Sequence, residues 1–178
     1  MLEEAVEHAR RQHTRRRVEE VLGRFRAGRV GTDRPTDAVE GVPAPAEAAR
    51  EHRIDTLLIR PDGTDLACET WVGGAPDKVA VRRSDVQNLG ENDPSPVRAD
   101  DAPLRAAAVT TADVLIVPPP EGDGADVPAG GLGALLRWAY EPTAVRRRRT
   151  ASRSKALDVR CVERPSMTLR AAEWLPRC

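Results

Sequence analysis

Apolar residues in the first 25 positions have the spacing of a helix, but they form two separate sets. Each set follows the i, i+3, i+4, i+7 spacing of an amphipathic helix. At about 100° per residue, the two stripes point to nearly opposite sides of one straight helix. The helix therefore either breaks in the polar run RRQHTRRR or packs its halves against different partners. The sets are Leu2, Ala5, Val6 and Ala9, then Val18, Val21, Leu22 and Phe25.

Further along the chain, predicted helices alternate with short apolar strands. Glycines end the first helix near Gly28, and a proline opens a second helix that runs from about Pro43 to His52. IDTLLIR forms a strand, APLRAAAVTTA a helix and DVLIVPPP a second strand closed by prolines. Uninterrupted apolar strands need cover on both faces of a sheet. The pattern therefore predicts an α/β fold with helices on both faces of a small sheet.

Ten residues of these strands are predicted to form the core, which spans roughly residues 18–140. The predicted buried residues are Leu57, Leu58, Ile59, Val114, Leu115, Ile116, Val117, Leu132, Leu135 and Leu136.

The segment between residues 66 and 101 has weaker patterns. LACETWV predicts an edge strand that pairs with DKVAVRR across two glycines and a proline. A short helix follows, with Ser84 as its N-cap and Gly90 as its stop, and ENDPSPVRADD is predicted to be a loop. Asp100 and Asp101 suit the cap of the helix that begins at Ala102.

The stretch GGLGALLRW, residues 130–138, is either a phosphate-binding loop or a turn into a buried strand. A Walker-type loop needs Lys and then Ser or Thr after its last glycine, but Ala134 and Leu135 stand there. A dinucleotide fingerprint needs a third spaced glycine directly after a strand. We therefore predict a glycine turn that leads into a strand.

Charge is divided unevenly along a chain whose net charge is zero. Residues 143–178 hold ten basic residues against three acidic ones, so this tail carries +7 and residues 1–142 carry −7. Arg146, Arg147, Arg148 and Arg149 are candidates for polyanion contact, for example with ribosomal RNA. The alternatives are a disordered basic extension or sequence that is not under selection.

Residue patterns for catalysis, cofactors and metals are weak. The three histidines lack metal-binding spacing, and no serine lies on a G-x-S-x-G elbow. We therefore predict no catalytic residue, no cofactor, no metal site and no enzymatic activity. Three cysteines without C-x-x-C spacing favour reduced thiols. No apolar run spans a membrane, and acids occupy the place of a signal-peptide core, so we expect a cytoplasmic protein.

Four segments in this order, HRIDTLLI, ETWVGGAPDKVAV, APLRAAAVTTADVLIVPP and GGLGALLRW, carry a family resemblance. Together they resemble the C-terminal domain of the bacterial members of the archaeo-eukaryotic peptide-chain release factor family, relatives of pelota. The resemblance implies a three-layer α/β/α sandwich around a small mixed sheet. It also implies a ribosomal or translation-associated protein partner.

The chain departs from that family in one respect that bears on activity. Release factors hydrolyse peptidyl-tRNA through a Gly-Gly-Gln loop in a preceding domain, and this sequence contains no Gly-Gly-Gln. We therefore expect a truncated or stand-alone docking domain. Its expected parts are an N-terminal helical segment (1–27), the α/β domain (28–140) and the basic tail (141–178). The stripe Leu2, Ala5, Val6 and Ala9 is the expected partner-facing surface.

Overall fold

The computed structural model describes residues 2–29, 36–120 and 126–140 of the chain. Two short 3₁₀ turns span Thr64–Ala67 and Ala129–Gly131. The helices are α1 (Leu2–Arg29), α2 (Pro43–Arg50), α3 (Arg83–Asn88) and α4 (Asp101–Val109). The strands are β1 (Thr36–Glu40), β2 (Ile54–Ile59), β3 (Glu69–Val72), β4 (Val79–Ala80), β5 (Ser95–Arg98), β6 (Asp113–Ile116) and β7 (Leu132–Tyr140).

A four-stranded mixed sheet with the order β1-β7-β2-β6 forms the middle layer. β7 is antiparallel to both of its neighbours, whereas β2 and β6 are parallel. On one face α1 contributes Val21 and Phe25 to a cluster with Leu58. On the other face α2 and α4 contribute alanines that pack with Leu57. This arrangement confirms the predicted α/β sandwich, because the central strands bury side chains on both faces.

Seven of the ten predicted core residues are buried, and the other three lie on β6. Val114 is 41% exposed and Ile116 is 57% exposed, while Leu115 is partly buried. The prediction of full burial is wrong for these three residues because β6 is an edge strand of the sheet. An apolar run therefore indicates a strand here without indicating a central one.

A second sheet, with the order β4-β3-β5, was predicted only in part. Trp71 pairs with Ala80 across the glycine-containing turn, as the β3–β4 hairpin predicts. However, β3 is the central strand and not an edge strand, because Thr70 pairs with Val97 of β5. The sequence predicts a loop at residues 95–98, but these residues form β5. Pro96 is accommodated because β5 is an edge strand of this sheet.

Local capping also differs from the prediction at two helices. Asp100 occupies the N-cap position of α4, but its side chain makes no capping hydrogen bond. Its carboxylate instead accepts two hydrogen bonds from Arg98, at 2.9 and 3.0 Å, which raise the pKa of that arginine. The helix α3 begins at Arg83, so Ser84 lies inside it and is not its cap.

The turn between β3 and β4 is fastened by Glu91. Its Oε2 accepts hydrogen bonds from the backbone N–H of Gly74 at 2.8 Å and from Lys78 Nζ at 3.3 Å. These contacts hold the pKa of Glu91 below its ordinary value, and the hydrogen bond from the Gly74 backbone has the largest effect. Cys68 is buried and disulfide-bonded, so the prediction of a reduced thiol is wrong at this position.

Candidate docking surface

The helix α1 is continuous from Leu2 to Arg29, and only its second half packs on the sheet. Val18, Val21 and Phe25 are its buried residues, and the Phe25 side chain is fully buried. The ring lies so close to β7 that a Cβ atom on Gly133 would be 2.9 Å from Phe25 Cε2. Near the end of the helix, a Cβ atom on Gly28 would lie 3.0 Å from Ala38 Cβ. Glycines thus allow the helix and the sheet to approach closely.

Four arginines of α1 pair with carboxylates that lie on successive parts of the sheet. Their partners belong to β6, β2, the segment before β7, and β1. The helix therefore crosses the sheet from the β6 edge to the β1 edge. The pairs are Arg17–Asp113 at 2.5 Å, Arg24–Asp55 at 3.5 Å, Arg26–Asp126 at 3.2 Å and Arg29–Glu40 at 2.8 Å.

The first half of α1 extends beyond the β6 edge as an overhang, which we define as residues 2–17. Every residue in the overhang is exposed. Sixteen residues at 1.5 Å per residue correspond to about 24 Å of helix. Hydrogen bonds between side chains four positions apart support it, including Arg11 to Glu7 at 2.9 Å and Gln12 with His8 at 2.8 Å. The overhang is an extension of a packed helix, so it needs no separate nucleation.

The predicted partner-facing stripe lies on this overhang. Leu2 is 81% exposed and Val6 is 45% exposed, and Ala5 and Ala9 are exposed as well. Because α1 does not break, this stripe points away from the side that packs on the sheet. Of the two possibilities for the opposed stripes, the structure thus selects one helix whose two halves face different surroundings. None of the described residues covers the stripe.

The glycine stretch before β7 forms a packed turn. Gly130 and Gly131 have φ values of 65° and 96°, and the N–H of Arg60 donates to the Gly131 carbonyl at 2.8 Å. A Cβ atom on Gly63 would lie 2.3 Å from the Gly131 Cα, so the two turns are in direct contact. Asp65 lies against Gly130, where its carboxylate disfavours a phosphate. The prediction of a turn that leads into a buried strand is confirmed.

A bulge in β7 was not predicted from the sequence. One residue of β1, Asp37, stands opposite residues 136–139 of β7. Arg137 fastens the bulge by donating from Nε to the Ile54 carbonyl at 2.9 Å and from Nη2 to the Thr110 carbonyl at 2.6 Å. Trp138 lies within the bulge, and its side chain is exposed. The order of apolar and polar residues in ALLRWAY does not indicate that β7 has more residues than β1 at this point.

A shallow cavity of about 440 Å³ lies beside this bulge, lined by Arg24, Gly28, Asp37 and Arg137 among others. Arg137 and Arg24 are already engaged, the latter with Asp55. Within residues 2–29, 36–120 and 126–140, no three His, Cys, Asp or Glu side chains cluster as metal ligands. No helix in those ranges is long and apolar enough to cross a membrane. Arg146, Arg147, Arg148 and Arg149 lie outside the described residues.

Comparison with known proteins finds similarity among solved structures. No family model and no curated protein matches the chain. The chain is similar to the C-terminal domain of a peptide chain release factor from Methanosarcina mazei, with 15% sequence identity and a TM-score of 0.47. The similarity covers 78% of this chain and 92% of that chain. A similarity of this degree does not indicate a function for this chain.

Proposed function

We propose that this chain is a docking module of the translation machinery, which acts at or near the ribosome without hydrolytic activity. The observation that carries the proposal is the overhang of α1. An exposed apolar stripe on a helix held rigidly at its other end is a ready surface for helix-in-groove recognition. The stripe Leu2, Ala5, Val6 and Ala9 is the partner-facing part.

The link to translation comes from the four sequence segments that resemble release factors. HRIDTLLI contains β2, and ETWVGGAPDKVAV contains β3 and β4. APLRAAAVTTADVLIVPP contains β6 and all of α4 except its first residue, and GGLGALLRW contains the glycine turn and most of β7. Three of the four segments therefore supply adjacent strands of the central sheet. This placement supports a shared structural core over a chance similarity of isolated motifs.

Charge favours a protein partner over RNA for the body of the molecule. Residues 1–142 carry a net charge of −7, which repels phosphate. RNA contact would have to come from the tail, through Arg146, Arg147, Arg148 and Arg149. Docking through the stripe and phosphate attraction through the tail predict different salt dependence.

Cosedimentation of the full chain with ribosomes tests the proposal. A Leu2→Ser, Val6→Ser variant removes the stripe and should reduce binding by at least tenfold. A Glu7→Ser, Arg11→Ser variant changes the opposite side of the same helix segment and should bind as the unaltered chain does. Equal binding by both variants contradicts docking through the stripe.

The tail alternative has its own variant, in which Arg146, Arg147, Arg148 and Arg149 are all replaced by serine. We expect ribosome binding to persist in that variant. Binding that disappears with it, and that fades steeply as salt rises, would instead show nonspecific phosphate attraction. No binding by the unaltered chain would leave a remnant without activity.

The absence of hydrolysis is tested separately with peptidyl-tRNA. We expect release at the rate of the buffer control. Turnover that a single substitution in this chain abolishes would contradict the non-catalytic proposal, because contaminating activity would not respond to that substitution.

A further inference from the structure

The outer side of β6 is an open sheet edge among the described strands. The N–H of Val117 donates to the Ile59 carbonyl of β2 at 2.8 Å. Backbone groups alternate in direction along a strand, so those of Leu115 also point toward β2. The N–H and C=O groups of Val114 and Ile116 therefore point to the open side. Two residues of the edge thus present both a donor and an acceptor for another strand.

The side chains on this edge are apolar and accessible. Val114 and Ile116 are paired with Leu57 and Ile59, so they lie on the sheet face that α2 and α4 cover over the central strands. At the edge that cover ends, and both side chains are exposed. Natural proteins usually protect such an edge with charge, proline or a covering element. Here Asp113 and Pro118 limit the open segment at its two ends but leave its centre accessible.

We propose that this edge pairs with β6 of a second copy of the chain, antiparallel about Leu115. In that register Val114 of each copy stands opposite Ile116 of the other. These are the residues whose N–H and C=O groups point outward, so the two pairs form about four interchain hydrogen bonds, two for each hydrogen-bonded pair. Each pair also joins two exposed aliphatic side chains on the same face. The strand is self-complementary in hydrogen bonding and in side-chain character.

Charge is also compatible with this pairing. The Asp113 residues of the two copies would be four positions apart along the strands, or about 13 Å, so like charges do not meet. The helix α1 crosses β6 near Asp113, where Arg17 is bonded to it. The two α1 helices would lie on the same face of the joined sheets, offset by about 13 Å along the strands where they reach the junction. Each overhang would then extend over the second copy, beside its α1. The stripe on the overhang faces away from the sheet and stays available.

A second copy fits the edge better than an open series of strands does. Two-fold pairing of β6 with itself uses the β6 edges of both copies at once, so none of these edges is left for a further copy. Growth beyond the dimer would require the other edge strand, β1, whose acidic residues Asp37 and Glu40 differ in character from the apolar β6. An extended segment of another protein would use the same edge, and it is one of the outcomes that the experiment distinguishes.

Sedimentation equilibrium of the full chain over a range of concentrations is the first test. We expect a monomer–dimer equilibrium, with the dissociation constant raised at least tenfold by Ile116→Lys, since the dimer brings two such lysines onto one apolar edge. Leu89→Lys is the matched control. Leu89, like Ile116, is an exposed aliphatic residue, but it lies after α3 and away from β6. A monomer at all concentrations, or equal effects of the two lysines, would overturn the proposal.

Amide hydrogen exchange tests the backbone pairing directly, because contacts between side chains alone would not protect the backbone amides of β6. The amides of Val114 and Ile116 should become protected as concentration rises, whereas those of Leu115 and Val117 are protected at every concentration by their bonds to β2. Dimerisation without new protection at Val114 and Ile116 would place the interface elsewhere. Protection that appears only when another protein is added would identify that protein's extended segment as the occupant. These results do not depend on ribosome binding, so this inference and the proposed function fail separately.

Discussion

The two halves of α1 share one backbone helix but differ in almost every other respect. Residues 18–29 bury Val18, Val21 and Phe25 and are joined to the sheet by three arginine–carboxylate pairs. Residues 2–17 have one such pair, Arg17–Asp113, and no buried side chain. Burial of an apolar face supplies most of the stability of a helix in a protein. The comparison teaches that the second half is held by the fold, whereas the first half contributes little burial and leaves its apolar stripe uncovered by the described residues.

The largest effect is expected at the centre of the anchored half. Phe25→Ala removes a fully buried ring and should lower the free energy of unfolding by about 3–5 kcal/mol. Urea denaturation followed by circular dichroism measures this change. A loss below 1 kcal/mol would mean that the anchored half is as dispensable to the fold as the overhang.

A smaller loss is expected where the anchored half meets β7. Gly133→Ala places a Cβ atom 2.9 Å from Phe25 Cε2 and should cost about 1–3 kcal/mol of stability through overpacking. In a Phe25→Leu background the same substitution should cost less, because the ring atoms that it meets are gone. A double-mutant cycle measures this coupling, and strict additivity would show that the ring and the glycine are not in contact in solution.

The boundary between the halves should show a weak effect that depends on salt. Arg17→Ala removes an ion pair whose side chains are 50% and 64% exposed, so the expected loss is about 0–1 kcal/mol. The loss should shrink further in 1 M salt, since exposed pairs are screened. A larger loss that persists in high salt would extend the anchored half beyond Val18.

The overhang should show the smallest effect on stability. Val6→Ser lies on an exposed surface and should change the free energy of unfolding by about 0.5 kcal/mol or less. The same substitution should weaken ribosome cosedimentation if the stripe is the docking surface. A variant that unfolds the chain, or one that leaves binding intact, would remove the distinction between the two halves.

The sequence predicted the layers of the fold well, because long periodic segments determine them. The two opposed stripes of α1 anticipated two environments on one helix, although periodicity alone left a break possible. The exposure of Val114 and Ile116 was missed because an apolar run does not reveal which strand stands at an edge. The strand β5 was missed for the opposite reason, since SPVR pairs through its backbone with little side-chain signal.

The residues of the candidate docking surface could be predicted from the sequence, but their position relative to the sheet could not. The sequence alone predicts the stripe formed by Leu2, Ala5, Val6 and Ala9. Only the tertiary structure shows that the helix passes beyond β6. The open edge itself depends on strand order, which is set by long-range pairing that no local pattern encodes. Arg137 was equally hidden, because its two acceptors are the carbonyls of Ile54 and Thr110, far away in sequence.

The position of β7 between β1 and β2 has a consequence for how the chain is made. A polypeptide emerges from its N-terminus onward, so β1 and β2 are complete well before residues 132–140 exist. Among the described strands β1 pairs only with β7. It therefore has no strand to pair with while the ribosome adds nearly a hundred further residues. We expect the growing chain to expose the apolar strand IDTLLI throughout that interval, when chaperone binding and misassociation compete with folding. Closure of the central sheet is then one late event, and a pause in translation ahead of residue 132 would prolong the vulnerable state.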